Sequence, residues 1–256
     1  MRTLMTTSLL LAATLGGCAA APVSDAAPPV PEKLKVQVLS TLPHDPAAFT
    51  QGLEFSGETL YEGTGLVGRS SMRAGPAGAA PSVKADLPDL FGEGITVLGP
   101  TAWQITWKDG VAIERDAKTL AERRRVNYTG EGWGLCHREG TGQLVMSDGS
   151  SKLTFRDPVT FAPTGSVETG RDQLNELECV GDSVYANVWE TDRILRIDAT
   201  TGRVTGEIDA SGLLDASERT SADVLNGIAA VPGTSEFVIT GKLWPKMFRV
   251  KFAPIS

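Results

Sequence analysis

An all-β repeat fold is predicted by three features of this 256-residue chain. Its 28 glycines and 15 prolines are spread throughout, which favours many tight turns over long helices. A short polar opening followed by an aliphatic residue recurs five times at the start of a predicted strand. Further strand-like runs, separated by turn signals such as Lys108-Asp109-Gly110, follow each opening.

The five openings define the length of the repeat. Their aliphatic positions, 53, 95, 135, 177 and 228, lie 42, 40, 42 and 51 residues apart. Four short antiparallel strands in about forty residues is the content of one propeller blade. The sequence therefore predicts a five-bladed β-propeller with four antiparallel strands per blade. The openings are Gln51-Gly52-Leu53, Glu93-Gly94-Ile95, Trp133-Gly134-Leu135, Asn175-Glu176-Leu177 and Asn226-Gly227-Ile228.

The ends of the repeat array complete this prediction. The alternating segment from Leu34 to Leu39 precedes the first opening, so we expect it to join the last blade as its outer strand. Such closure protects strand edges that an open sheet would expose. The longest step contains Asp209 to Arg219, where we expect a short helix or a loop insertion. The predicted propeller covers residues 34–256.

The N-terminal residues are predicted to lie outside the fold. Arg2 and a short apolar run precede Leu15-Gly16-Gly17-Cys18, which resembles a bacterial lipobox, so residues 1–18 form a lipoprotein signal peptide with Cys18 lipidated. An ordinary secretory signal is the alternative. The Ala/Pro-rich residues 19–33 are predicted to be a disordered tether. We expect an exported, periplasmic protein, lipid-anchored to the bacterial outer membrane, that contacts the membrane only through this anchor.

Charge and the metal-ligand inventory exclude several classes of function. The formal net charge of −7 argues against a nucleic-acid partner, because such proteins normally present a basic face. The two histidines, His44 and His137, have no paired metal-ligand spacing, so no catalytic metal site is predicted. A closed propeller with an acidic surface is most simply a monomer.

Two cysteines remain if Cys18 carries lipid. Cys136 and Cys179 follow matching points in neighbouring repeats, so we expect them on separate blades rather than facing each other. Cysteine is frequently buried as a small apolar residue. We therefore expect two free thiols in the core.

The repeated openings indicate a small-molecule site. In a propeller the first strand of each blade lines the central channel, so the polar openings should converge at one mouth, with aromatic residues at a similar level. The polar groups could instead cap backbone or bind channel water, and the aromatics could wedge between blades. Taken together, they predict an apolar pocket with oriented polar groups and one or more acids. The polar residues are Gln51, Glu93, Glu131, Asn175, Glu176 and Asn226, and the aromatic ones are Phe49, Phe91, Trp107, Trp133, Trp189 and Trp244.

The same residues carry a family resemblance. Over roughly residues 35–252 the chain resembles the plant- and bacterial-type glutaminyl cyclotransferases, the papaya-enzyme family. It departs from the family pattern at Ala74 to Ser82, a Gly/Pro/Ala-rich stretch that puts the outer strand of the first blade in doubt. The matching motifs include His44-Asp45-Pro46, Ala48-Phe49-Thr50-Gln51-Gly52-Leu53, Phe91-Gly92-Glu93-Gly94-Ile95-Thr96, Gly130-Glu131-Gly132-Trp133-Gly134-Leu135, Leu174-Asn175-Glu176-Leu177-Glu178, Ala186-Asn187-Val188-Trp189, Asp223-Val224-Leu225-Asn226-Gly227-Ile228 and Thr240-Gly241-Lys242.

The resemblance implies an enzyme that converts the N-terminal glutamine of peptides or proteins to pyroglutamate and releases ammonia. It implies catalysis without a metal, in contrast to the zinc-dependent animal enzymes of the same name. Glu93 is then the proton shuttle. Lys242 stabilises the oxyanion or a carbonyl, or else pairs with Glu176 or Glu178. The substrate-binding candidates are Phe49, Gln51, Phe91, Trp107, Trp133, Asn175, Glu176 and Trp189.

Two other functions remain open from the sequence. A non-catalytic propeller lipoprotein could act as an assembly scaffold, in which case the channel mouth would lack a buried acid among aromatic residues. A calcium-dependent propeller lactonase would need several oxygen ligands around one ion, and Glu131, Glu176 and Asn226 could supply some. No cofactor is expected for catalysis, although a structural cation such as calcium could occupy the channel.

Overall fold

The computed structural model describes residues 30–255. Twenty β-strands and one short 3-10 helix make up the regular structure of this range. The predicted signal peptide, Cys18 and most of the predicted tether lie outside the described residues. The all-β prediction is confirmed, and none of the described segments is a helix long and apolar enough to cross a membrane.

Three sheets each contain four antiparallel strands in sequence order. Short turns connect the strands, as the distribution of glycine predicts. The sheets are β2 (Thr50–Ser56), β3 (Thr59–Thr64), β4 (Ser71–Gly75) and β5 (Val83–Asp86); β6 (Gly92–Leu98), β7 (Thr101–Thr106), β8 (Val111–Asp116) and β9 (Glu122–Asn127); and β10 (Leu135–Arg138), β11 (Gln143–Met146), β12 (Lys152–Arg156) and β13 (Pro163–Glu168).

The remaining strands form one eight-stranded sheet in the order β14-β15-β16-β17-β1-β20-β19-β18. Its N-terminal strand β1 pairs antiparallel with β20 and parallel with β17, and this parallel pairing joins two groups of four strands. The strands are β1 (Glu32–Pro43), β14 (Leu174–Val180), β15 (Ser183–Val188), β16 (Arg193–Asp198), β17 (Val204–Asp209), β18 (Leu225–Ala230), β19 (Phe237–Gly241) and β20 (Lys246–Pro254).

The N-terminal strand joins the last group of strands as predicted, but its boundary differs. Strand β1 begins at Glu32, so Glu32 and Lys33, predicted to belong to the disordered tether, are part of the sheet. Two ion pairs hold this first part of β1, one from Lys33 to Glu207 and one from Arg196 to Glu32. These partners lie far along the chain, which is why local composition did not reveal the start of the strand.

The first strands of these groups of four together surround a common axis. Strand β2 packs on β6, β6 on β10, β10 on β14, β14 on β18, and β18 returns to β2. Glycine makes this close approach possible, because a Cβ on Gly94 would lie 2.6 Å from the backbone nitrogen of Leu135. A Cβ on Gly134 would lie 2.2 Å from the carbonyl oxygen of Asn175. The fold is therefore propeller-like, with the polar openings brought to its centre.

The prediction of two free thiols was wrong. Cys136 and Cys179 form a disulfide, with their Cα atoms 5.4 Å apart. They do lie on separate groups of strands, β10 and β14. These two first strands pack directly on each other, so matching points of neighbouring repeats face one another. The disulfide links the two repeats beside the channel.

Two further segments of the repeat array can be compared with the sequence prediction. Strand β5 pairs with β4, so the outer strand of the first sheet forms despite the Gly/Pro/Ala-rich stretch before it. The insertion after β17 contains a 3-10 helix at Glu218–Thr220, as the long repeat step predicts.

Candidate active site

Bulges in the first strands present the polar openings to the channel. The pairing register of β2 shifts at Gln51 and that of β6 shifts across Glu93 and Gly94. Strand β14 shifts across Asn175 and Glu176, and β18 shifts at Asn226. A bulge leaves a residue unpaired and re-aims its side chain, a device common beside active sites. The polar residues of these four openings therefore lie where the regular pairing between β-strands is interrupted.

Glu93 is the buried acid at the centre of this arrangement. Its side chain is almost completely enclosed, with a relative exposure of 4%. Burial raises the pKa of Glu93 well above the ordinary value of 4.5, the positive charge of Lys242 lowers it, and the negative charge of Glu131 raises it. The Nε2 atom of Gln51 donates a hydrogen bond to Glu93 Oε1 over 2.9 Å. A buried carboxyl group with a raised pKa of this kind is typical of a proton-transfer site.

Lys242 is the buried cation whose charge acts on this acid. It follows β19 and is buried, and its Nζ lies 4.9 Å from the centroid of the Phe49 ring. Burial lowers the pKa of Lys242, while the negative charges of Glu93 and Asp223 raise it. The backbone around Lys242 is fixed by hydrogen bonds to Val224 and Asp223. The charges that act on Lys242 are therefore those of Glu93 and Asp223.

Two aromatic groups form walls beside Glu93. In the first, the Phe91 ring lies 6.2 Å from Phe49 and 5.5 Å from Trp107. In the second, Trp133 and Trp189 make an edge-on contact at 5.6 Å. All five side chains are half-buried, so they combine packing with an accessible face. The structure thus brings together five of the predicted wall residues. Trp244 is instead buried in the core beside Phe248.

Glu131 joins the two aromatic groups, a role that sequence reasoning did not assign. Its Oε2 atom accepts hydrogen bonds from Trp107 Nε1 over 2.8 Å and from Trp133 Nε1 over 3.0 Å. Lys108 lies above the Trp107 ring at 4.0 Å and close to the other Glu131 oxygen. The available signal in the sequence was the position of Glu131, two residues before the third opening.

Asn175 and Glu176 share a bulge but differ in their contacts. Asn175 is buried, and its Oδ1 atom has no hydrogen-bond partner within residues 30–255. The two oxygens of Glu176 accept hydrogen bonds from the backbone nitrogens of Leu53, at 3.1 Å, and Ile228, at 2.8 Å. Asn175 thus has an unpaired acceptor within the described residues, whereas the carboxylate of Glu176 braces three first strands against one another.

A second buried network supports the segments that carry Gln51 and Lys242. His44 Nε2 lies 3.0 Å from Glu62 Oε1, and His44 Nδ1 lies 2.7 Å from the carbonyl oxygen of Trp244. Glu62 also accepts hydrogen bonds from Thr50 and Arg73. The network joins the segment before Gln51 to the turn after Lys242. Arg69 adds a contact at the mouth, where it donates to the carbonyl of Ala47.

Two further buried carboxylates lie deeper along the first strands. Glu54 accepts a hydrogen bond from the backbone nitrogen of Val97, and Glu178 accepts one from that of Ala230. Backbone groups at the axis face no neighbouring strand in their own sheet, so side-chain acceptors satisfy them. Burial raises the pKa of Glu54 to about 8 and raises that of Glu178 well above its usual range.

We expect this burial to make stability depend on pH. Because the folded-state pKa of Glu54 lies above the unfolded value, its contribution is full below about pH 4.5 and is lost as pH rises through about 8. Between pH 6 and pH 9 the free energy of unfolding of the wild type should therefore fall by about 1–3 kcal/mol more than that of Glu54→Gln. Chemical denaturation at the two pH values measures this. The exposed Glu58→Gln is the control, and an equal change in both variants would contradict the explanation.

Metal-ligand clusters are a separate question. Within residues 30–255, no three His, Cys, Asp or Glu side chains come together in a way that could hold a metal ion. Glu131 and Glu176, considered from the sequence as calcium ligands, bind indole nitrogens and backbone nitrogens respectively.

The scaffold is all-β and propeller-like, and its first strands bring buried polar groups together. A buried carboxyl group, a buried ammonium group and oriented amides lie together with two groups of aromatic rings, a set of groups that suits proton transfer on a small polar substrate. The chain belongs to the glutamine cyclotransferase family, whose model matches residues 9–252.

Individual relatives agree with this assignment. The chain is 38% identical over 235 residues to a glutaminyl-peptide cyclotransferase of Arabidopsis thaliana, covering 87% of this chain and 72% of the relative. It is similar to the crystal structure of a Myxococcus xanthus glutaminyl cyclase, with 37% identity and a TM-score of 0.80 over 89% of this chain and 100% of the other. The hydrazine synthase of Kuenenia stuttgartiensis shares the fold alone, with 14% identity and a TM-score of 0.50 over 78% of this chain and 56% of the other. The family inferred from the motifs is confirmed.

Proposed function

We propose that the glutaminyl-peptide cyclotransferase activity of this chain takes place at Glu93, which moves one proton from the attacking amine to the departing ammonia. The observation that carries this proposal is the buried Glu93 carboxyl, which accepts from Gln51 and lies within the influence of Lys242. The substrate is a peptide or protein with an N-terminal glutamine, and the product is pyroglutamate.

The reaction makes one bond and breaks one. The α-amine nitrogen attacks the side-chain amide carbon, a carbon–nitrogen bond forms, and Glu93 takes a proton from the amine. Glu93 then gives that proton to the amide nitrogen, whose bond to carbon breaks as ammonia leaves. Without this protonation the amide anion would be a very poor leaving group. The raised pKa of Glu93 suits it to both steps.

The other residues have distinct tasks in this proposal. Lys242 stabilises the negative oxygen of the tetrahedral intermediate, where a fixed donor in a buried site is most effective. The rings of Phe49, Phe91 and Trp107 hold the glutamine side chain in its cyclising conformation. Trp133 and Trp189 form the opposite wall. Asn175 offers its free Oδ1 to the substrate amide or amine.

The finer description of the fold is also a proposal. Five groups of four strands can be counted if the eight-stranded sheet is divided at the parallel pairing between β1 and β17. The continuous packing of five first strands around one axis supports a five-bladed propeller. In this description β1 completes the fifth blade through its antiparallel pairing with β20.

The cellular setting rests on the sequence. We propose that residues 1–18 direct export, that Cys18 carries a lipid, and that the monomeric enzyme works in the periplasm at the outer membrane. The disulfide between Cys136 and Cys179 supports an oxidising compartment. Catalysis as proposed uses only carboxyl, amide and ammonium groups, so it requires no metal.

The test is ammonia release from a glutamine-initiated dipeptide by the purified soluble domain, residues 30–256, in the presence of a chelator. We expect steady release of ammonia together with a pyroglutamyl product. A folded protein without activity would refute the proposal and favour the non-catalytic scaffold. Activity that the chelator abolishes and calcium restores would favour a metal-dependent mechanism.

A further inference from the structure

A line of buried amides leads from the backbone of β2 to the catalytic acid. Asn226 lies in the bulge of β18 and has a relative exposure of 0%. Its Nδ2 atom donates to the carbonyl oxygen of Thr50 over 3.0 Å and to Gln51 Oε1 over 3.2 Å. Gln51 Nε2 in turn donates to Glu93 Oε1 over 2.9 Å. The three residues come from separate repeats.

Chemistry alone fixes the orientation of both amides. A backbone carbonyl accepts hydrogen bonds and cannot donate, so Asn226 must turn its NH₂ group toward Thr50. The second hydrogen of the same NH₂ group faces Gln51, which must then present its oxygen to Asn226. The NH₂ group of Gln51 is left to face Glu93. The orientations of the Asn226 and Gln51 amides thus both follow from the carbonyl group of Thr50, which can only accept a hydrogen bond.

We propose that Asn226 is a positioning residue that fixes the orientation of Gln51 and so makes Gln51 a hydrogen-bond donor to Glu93. The inference rests on the proposed role of Glu93. If the Gln51 amide turned over, its oxygen would face Glu93, and only a protonated Glu93 could satisfy that contact. A donor instead favours the carboxylate, which is the form that accepts a proton from the substrate amine.

This contact counters the strong effect of burial. Desolvation raises the pKa of Glu93 and so favours the protonated form, which cannot act as a base. The charged and titratable groups around Glu93 are Lys242, Glu131 and Tyr128. A change at Asn226 leaves all three in place, so its effect on the titration of Glu93 can be separated from theirs.

The experiment compares the pH dependence of kcat/KM for wild type and Asn226→Leu, which is close in shape but cannot donate. The acidic limb of the profile is the pH range in which kcat/KM falls as the pH is lowered. We expect the midpoint of this limb to move to higher pH by about one unit, which is the effect of weakening a hydrogen bond to a charged group. On that limb kcat/KM should fall about tenfold. In a Gln51→Leu background the same change should cause no further shift, because Asn226 acts through Gln51.

Asn187→Leu is the matched control. Asn187 is equally buried and accepts a hydrogen bond from the backbone of Gly227, but within residues 30–255 it forms no hydrogen bond with Gln51 or Glu93. Its replacement should not move the limb. If Asn226→Leu does not fold, Asn226→Ser, whose side chain is too short to reach Gln51, provides the same comparison.

The outcomes separate this inference from the proposed function. Wild-type protein that releases no ammonia would refute the function itself. An active wild type whose acidic limb is unchanged in the Asn226 variant, or moves equally in the Asn187 variant, would overturn the positioning role alone. A further shift in the Gln51→Leu background would also overturn it, because Asn226 would then act by another route.

Discussion

Glu93→Gln should lower kcat for a glutamine-initiated dipeptide by about 10²–10⁴-fold, the usual contribution of a positioned acid–base group. Glutamine matches glutamate in shape, and its oxygen can still accept the hydrogen bond from Gln51 Nε2. It cannot take the proton from the α-amine or return it to the leaving nitrogen. The loss should therefore be mainly in kcat, with KM changed much less. Initial rates of ammonia release over a range of substrate concentrations measure both.

Glu178→Gln supplies the matched control. Glu178 is also a fully buried glutamate on a first strand, but it binds the backbone of Ala230 rather than Gln51. We expect it to retain most of the wild-type kcat. Similar losses in the two variants would show that removal of any buried carboxyl disturbs the channel, and the shuttle role of Glu93 would then lose its support.

Lys242→Met should lower the plateau value of kcat by about 10²–10³-fold if Lys242 stabilises the oxyanion. Methionine keeps an apolar chain against Phe49 and removes the charge. The same change should also raise the pKa of Glu93, because the positive charge of Lys242 lowers it in the wild type. The acidic limb of the rate profile should consequently move to higher pH.

The two effects of this substitution can be separated. A shifted limb with a full plateau at high pH would mean that Lys242 only tunes Glu93, which would contradict the oxyanion role. Lys246→Met is the control, since Lys246 lies four residues further on, is partly exposed and pairs with Glu218. It should alter neither the plateau nor the limb.

Much of the fold could be predicted because each repeat begins with a short motif of neighbouring residues. Each opening combines a polar residue with an aliphatic one, and glycines such as Gly94 and Gly134 stand where neighbouring first strands nearly touch. The same openings predicted that Glu93 and Gln51 belong to one site, because side chains at the starts of the first strands lie at the same mouth of the channel. In the structure Gln51 and Glu93 occupy bulges rather than regularly paired positions of their strands.

What failed depended on contacts between repeats. Cys136 and Cys179 were placed on the correct pair of repeats, yet the packing of β10 on β14 was needed to show that they meet. The contacts of the Glu176 oxygens with the backbones of strands from two other repeats were not expected from the sequence, and its role as a substrate-binding residue stays a prediction. The orientation of the Gln51 amide depends on a carbonyl and on Asn226, distant in sequence. Periodicity alone cannot reveal such partners.

The pH dependence of kcat/KM for a glutamine-initiated dipeptide, in wild type and Glu93→Gln, tests the central claim most directly. We predict that the wild-type profile has an acidic limb well above pH 4.5, because burial raises the pKa of Glu93. The residual activity of Glu93→Gln should lack this limb, since the group that titrates is gone. A limb that persists at the same pH in Glu93→Gln would show that another group transfers the proton, and the account of this site would be wrong.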